Sequence, residues 1–278
     1  MWAKGRLEWI NRTRFGSVEF VHDPDGAWEV AMIPDKNKAN LKTSMEYYSA
    51  MEDAYIPMMR PLYPGFGIVG VDPHEFNNKG ESQMLGGKMS KLSDTGITVV
   101  QKRDKRVDTN DFDKKSWTTQ RAIATLEKRF ASNIEVAEEA LKAAIFWGCL
   151  IHLERNKSEV WSKIIEWKYG GYLNHNAEIL PSGQLQVDPM PGSFMSPVVK
   201  KRAFSLAKDQ LVNHVHIEQL PSLLKQAKEI SSMEELTKYD KLASWLNALV
   251  GIESIYSEVM GYGDEEEIMT LGLIGRAV

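Results

Sequence analysis

Apolar and polar positions alternate in the first thirty residues. Arg6 to Ile10 and Val18 to His22 read as strands, and Asp23-Pro24-Asp25-Gly26 is a strong turn before a further strand from Ala27 to Met32. From Asn40 to Ile56 the spacing of Met45, Tyr48, Met51 and Tyr55 predicts a helix with one apolar face. Pro57, Pro61, Pro64 and Gly65 interrupt the chain after it. They set a boundary between an N-terminal hairpin-and-helix appendage, residues 1–62, and a main domain, residues 63–278.

The main domain opens on Phe66-Gly67-Ile68-Val69-Gly70-Val71-Asp72-Pro73, a run rich in β-branched residues that ends in a turn dipeptide, as a buried strand does. A polar, Gly-rich loop runs from Asn77 to Asp94, and strands are expected at Gly96–Lys102 and Arg121–Phe130. Three consecutive strands of this kind are most simply arranged as an antiparallel meander. The period then changes. Ser132-x-x-Glu135 is a capping box, and Ile134, Ala137, Leu141 and Ile145 form a helical stripe that ends near Gly148. Cys149 to Leu153 is a short buried strand delivering Glu154, and a helix from Glu159 to Lys168 follows. Gly170-Gly171-Tyr172-Leu173 reads as a turn and edge strand, and Asn174 to Met195 as a long flexible connection. Helices are expected at Val198–Val212, Leu220–Ile230 and Lys241–Glu258. The resulting class is α/β, with a mixed sheet of three antiparallel strands plus parallel strands, flanked by helices.

Composition narrows the function classes. An apolar fraction of 43% and a charged fraction of 26% are ordinary for a globular chain. No apolar run approaches the ~18 residues of a membrane span, and the N-terminus has no apolar signal core. One cysteine, Cys149, excludes an internal disulfide and a cysteine-rich zinc site, and a reducing cytosol is the expected compartment. The net charge of −4 does not by itself suggest a nucleic-acid binder. The local distribution modifies this: Gln101–Phe130 holds nine Lys/Arg against five Asp/Glu, Lys200-Lys201-Arg202 is a second basic cluster, and Asp264-Glu265-Glu266-Glu267 is an acidic run.

The order of elements brings three carboxylates to one place. A fourth strand lying parallel beside the first puts Asp72 and Glu154 side by side at the carboxyl ends of their strands, where α/β sheets build sites. Asp240 starts the last long helix, which Leu242, Trp245, Leu249 and Ile252 bury against the sheet. Converging carboxylates repel unless a cation sits between them, and hard oxygen ligands suit Mg²⁺ or Mn²⁺. Two such ions roughly 3.5–4 Å apart support phosphodiester hydrolysis without a nucleophilic side chain. Asp94 fits a turn better than a ligand, His74 and Glu75 are candidates for an outer shell, and His214 and His216 read as surface histidines. No G-x-x-x-x-G-K-[ST] and no G-x-S-x-G occurs, so neither a Walker ATPase nor a serine hydrolase is indicated.

At Gly67–Pro73, Leu153-Glu154-Arg155-Asn156 and Tyr239-Asp240-Lys241-Leu242 the chain resembles the nuclease domain of large terminase subunits, in particular those of crAss-like and related Bacteroidetes phages. The upstream stretches 5–9 and 18–26, Arg129, Gly170-Gly171-Tyr172 and Lys200-Lys201 fit the same pattern, so the likeness runs through most of residues 5–255. The resemblance implies a ribonuclease H-like fold and a metal-binding catalytic triad of Asp72, Glu154 and Asp240 using one or two Mg²⁺ or Mn²⁺ ions. It also implies cleavage of concatemeric double-stranded viral DNA during genome packaging in an infected bacterial cell. The partners it implies are a terminase ATPase half, a portal and a small terminase. The family's ATPase half is not represented here, and Lys241 stands where many relatives carry a further acid. Lys200, Lys201 and Arg202, with Arg129, are the expected contacts to the DNA backbone. Two other readings stay open: a resolvase- or transposase-like nuclease on the same fold, and a non-catalytic structural protein of a virion or motor.

Overall fold

A computed structural model describes residues 2–34, 40, 42–49, 54–62, 64–74, 94–156 and 158–254. In chain order the elements are β1 (Ala3–Trp9), β2 (Val18–His22), β3 (Trp28–Val30), β4 (Lys42–Ser49), β5 (Ala54–Pro61), β6 (Gly67–Asp72), β7 (Thr95–Gln101), β8 (Ala122–Lys128), α1 (Asn133–Trp147), β9 (Leu150–Leu153), α2 (Ser158–Glu166), β10 (His175–Ile179), β11 (Leu185–Pro191), α3 (Pro197–His214), α4 (Pro221–Glu229) and α5 (Asp240–Ile252). Seven strands form one mixed sheet in the order β2-β1-β3-β8-β7-β6-β9. Strands β6, β7 and β8 make the expected antiparallel meander, and β9 lies parallel to β6 with Val71 opposite Leu153. This mixed α/β architecture, with helices on both faces of the sheet, is compatible with a ribonuclease H-like fold.

The central strands are apolar because both of their faces are covered. Val69, Val71, Ile151 and Leu153 pack into one core with Val136, Leu141 and Ile145 of α1. The alternate positions Ile68, Val100 and Leu150 pack into a second core with Leu242, Trp245 and Leu249 of α5. Helix α1 begins as its sequence demands: the Ser132 hydroxyl accepts the Glu135 N–H, and the Glu135 carboxylate accepts the N–H of Ala131. It ends at Gly148, whose φ of 67° is left-handed and suits glycine.

Four expectations are corrected. The first three strands, expected within an appendage of residues 1–62, belong to the main sheet, because β3 pairs antiparallel with β8 and brings β1 and β2 with it; β4 and β5 form a two-stranded sheet of their own. The physical reason is that the meander leaves β8 with an unpaired edge, which β3 completes. Trp28 then reaches α1, donating its indole N–H to Glu139 at 2.6 Å and meeting the Trp147 ring at 5.8 Å. The helix expected at Asn40–Ile56 is a β-hairpin, with Tyr48 opposite Tyr55 and Tyr47 opposite Ile56 in the β4–β5 ladder. Its aromatic and β-branched residue types favour strand. Asn174–Met195 carries the β10–β11 hairpin, turned at Gly183 with φ of 81°. Finally, Gly170–Tyr172 is a 3₁₀ turn and Leu173 makes a single bridge to Ile151 in place of an edge strand. Most of the Asn77–Asp94 loop, the acidic run at 264–267 and the expected last turn of the final helix (255–258) lie outside the described residues.

Candidate metal centre

Side-chain alternation decides what faces α5. On β6, Ile68 and Gly70 share a face with Asp72, and Gly70 lies opposite Thr98 on β7, as Asp72 lies opposite Gly96. Gly96 in turn faces Glu127 on β8, and Val71 faces Leu153, whose successor is Glu154. A single lateral row at one end of the sheet therefore reads Glu127, Gly96, Asp72, Glu154. The expected neighbourhood of Asp72 and Glu154 is present. Antiparallel pairing of β7 with β6 and β8 adds the start of β7, with Asp94, to this same end.

Helix α5 is laid across this face because glycines leave room for it. A Cβ on Gly96 would stand 1.9 Å from the carbonyl oxygen of Asp240, and one on Gly70 would stand 2.1 Å from that of Ser244. The approach is fastened by polar contacts. The Thr98 hydroxyl lies 2.8 Å from Ser244 Oγ and 2.9 Å from Thr125 Oγ1, while Asn247 donates to the Val71 carbonyl at 2.9 Å. Asp240, in the first turn of α5, consequently rests over β7, and its carboxylate accepts the backbone N–H of Asp94 at 3.1 Å.

The carboxylate oxygens of Asp94, Glu127 and Asp240 lie within 4.8 Å of one another. Asp240 is buried, and the other two are half-buried. At such a separation and an effective dielectric near 20, two negative charges repel by about 3 kcal/mol. Three hard anionic oxygens on a half-buried surface form a donor set that could hold a metal ion.

Of the sequence-derived triad, only Asp240 belongs to this group; Asp72 and Glu154 sit beside each other one strand further along the edge. Glu127 is absent from the sequence-derived set, although Leu126-Glu127 closes an apolar strand much as Val71-Asp72 and Leu153-Glu154 do. That shared signature was the signal for it. Asp94 fits a turn in the sequence, and its approach to Asp240 depends on the register of β7. His74 is buried against Thr95, with Nδ1 2.7 Å from the Thr95 hydroxyl; Glu75 lies outside the described residues. Lys241 is engaged elsewhere, in a buried ion pair with Glu29 at 3.4 Å and a hydrogen bond to the Ser222 hydroxyl.

The basic candidates are dispersed. Lys200 and Lys201 are exposed early in α3, whose N-cap Ser196 accepts the Val199 N–H. This helix follows Ser193, the residue that bridges Glu154. Arg202 is occupied by Glu253 at 2.6 Å. Arg129 is exposed just beyond β8, two positions after Glu127. His214 is not on the surface: it is buried and stacked on Trp117 at 5.1 Å. Burial also pushes the Cys149 thiol up, so it is inert. Among the described residues no helix is long and apolar enough to cross a membrane. No family model matches the chain, and no curated protein matches it.

Proposed function

We propose that the chain is a divalent-metal-dependent endodeoxyribonuclease, a phosphodiester hydrolase acting on double-stranded DNA, similar to the nuclease of large terminases. The observation that carries this reading is the convergence of Asp94, Glu127 and Asp240 beside the adjacent strand ends of Asp72 and Glu154. Five carboxylates gathered at one end of a mixed sheet repel one another and offer the hard oxygen ligands that divalent cations prefer. Mg²⁺ or Mn²⁺ held there would supply Lewis-acid stabilisation of a phosphoryl oxygen and a nucleophilic water. The chain's own part is geometric. Asp240 is presented by α5, Asp94 is held against it by a backbone hydrogen bond, and Glu127 is delivered by β8. Asp72 and Glu154 extend the anionic row towards β9, where a further ion would find ligands. Arg129, two residues after Glu127, and the exposed Lys200 and Lys201 early in α3 would add positive charge for the phosphate backbone. By the same resemblance, the biological setting would be genome packaging in an infected bacterium, with an ATPase half, portal and small terminase as partners.

Supercoiled plasmid incubated with the chain in Mn²⁺, Mg²⁺ or EDTA tests the proposal. Nicking with either metal, none in EDTA, and a loss of at least about 100-fold in Asp240→Asn is the expected outcome. Cleavage that persists in Asp240→Asn, or no cleavage by folded protein with either metal, overturns it. Branched and linear duplexes compared side by side then separate a resolvase-like preference from a packaging-type nuclease.

A further inference from the structure

Helix α5 begins without a cap of its own: Tyr239, at the N-cap position, makes no side-chain hydrogen bond to the helix. The unsatisfied N–H groups of a first helical turn need acceptors from elsewhere. One comes from α4. The Gln226 amide oxygen accepts the Leu242 N–H at 3.1 Å, and the amide nitrogen of the same side chain donates to Glu127 Oε2 at 2.9 Å. One turn earlier on α4, Ser222 Oγ accepts from Lys241 Nζ at 2.5 Å, so the first turn of α5 is gripped twice by this helix.

We propose that Gln226 is the positioning residue of the Asp94–Glu127–Asp240 centre, tying the strand that carries Glu127 to the helix start that carries Asp240. The inference rests on the metal-centre reading above. A primary amide has one acceptor end and one donor end at fixed separation. Only one orientation places its oxygen on the Leu242 N–H and its NH₂ on a carboxylate; the flipped amide would set oxygen against oxygen. The side chain therefore links β8 to the start of α5 and fixes one oxygen of Glu127 in direction. It does so without charge. A lysine in its place would neutralise Glu127 and compete with a bound cation, whereas an amide orients the ligand and leaves the anionic field intact. Outer groups that orient metal ligands typically alter metal affinity by about 10–100-fold when removed.

Mn²⁺ binding to the full chain, followed by calorimetry and by electron paramagnetic resonance of the free ion, tests this. Gln226→Met keeps the length and helix propensity of the side chain and removes both hydrogen bonds; its affinity is expected to fall about tenfold or more, with Lys225→Met, one residue away and exposed, binding as the wild type does. Gln226→Glu retains the acceptor for Leu242 and loses the donor to Glu127, and is expected to shift Mn²⁺ affinity and the spectrum of the bound ion from the wild type. If Gln226→Met does not fold, Gln226→Glu decides alone. Wild-type affinity in the folded Gln226 variants, while Asp240→Asn abolishes binding, overturns the positioning role and leaves the centre standing. No binding by the wild type, or equal binding by wild type and Asp240→Asn, overturns the metal centre itself and this inference with it.

Discussion

The two faces of the central sheet are built from alternate residues of the same strands, yet they obey different rules. Towards α1, β6 presents Val69 and Val71, which meet Leu141 and Ile145 in a wholly apolar core. Towards α5, it presents Ile68, Gly70 and Asp72, and β7 presents Gly96, Thr98 and Val100, so size falls and polarity rises towards the acidic end. The first face is held by buried area and tolerates some repacking. The second combines an apolar core around Trp245 and Leu249 with backbone-to-backbone approach and a short polar ladder near the acidic end, and it brings Asp240 to Asp94 and Glu127. Strand parity thus places the acidic end on the α5 face and leaves the α1 face to apolar packing.

The sharpest way to break that division is to add a single methyl group. Gly96→Ala sets a Cβ where the Asp240 carbonyl lies 1.9 Å away, and neither atom belongs to a flexible side chain. We expect a loss on the order of 4 kcal/mol or more in chemical denaturation, together with the loss of Mn²⁺ binding as α5 lifts from β7. A wild-type denaturation curve for Gly96→Ala would show that the close approach does not matter. Removing atoms from the other face has the opposite signature. Leu141→Ala, at a fully buried position of α1, is expected to destabilise by about 2–5 kcal/mol, while the folded fraction binds Mn²⁺ as the wild type does. Reduced metal affinity in Leu141→Ala at temperatures where it is fully folded would show the two faces to be coupled.

A smaller effect comes from Glu218, which lies beyond the opposite end of the meander from the carboxylates, at the N-terminal end of β8. Burial drives its carboxyl up to about 7, although Gln210 and the Ala122 N–H, which donate to it, and nearby Arg121 act in the other direction. Because the folded-state value is raised, the folded chain holds this proton more tightly than the unfolded chain. Its contribution is complete below the ordinary value near 4.5 and is lost as pH rises through about 7. Glu218→Gln should therefore flatten the fall in stability between these limits and be the more stable protein at pH 8, by up to ~3 kcal/mol. Parallel Tm-versus-pH curves for the two proteins would exclude this assignment. Mn²⁺ affinity should be unchanged in the variant, since Glu218 is not part of the acidic row.

Much of the fold was legible where one residue pattern admits one partner. The apolar runs at Gly67–Val71 and Leu150–Leu153, the change of period at Ser132, and the stripe Leu242–Trp245–Leu249 each led to the element observed. The hairpin at Lys42–Pro61 was misread because Met45, Tyr48 and Tyr55 satisfy helical spacing while also being residue types that pair well across strands. Asp72 and Glu154 were legible as strand-end acids, and their adjacency followed from topology alone. Asp94 and Glu127 were not grouped with Asp240, because that grouping depends on Thr95 facing Lys128 and Gly96 facing Glu127, and a shift by one residue would turn Glu127 to the other face.

By itself, then, the sequence of this protein determined the element types through most of the chain, the parallel pairing of β6 with β9, and the concentration of strand-end carboxylates at one edge. These follow from local period, turn chemistry and the limited ways of connecting consecutive elements. The tertiary structure alone decided which acids converge, that β3 would close the edge of β8, and that Gln226 would reach both Glu127 and the start of α5. Those outcomes rest on strand register and on a helix approaching a sheet within the width of a missing Cβ. Such distances are set by atoms far apart in the chain, and no local pattern encodes them.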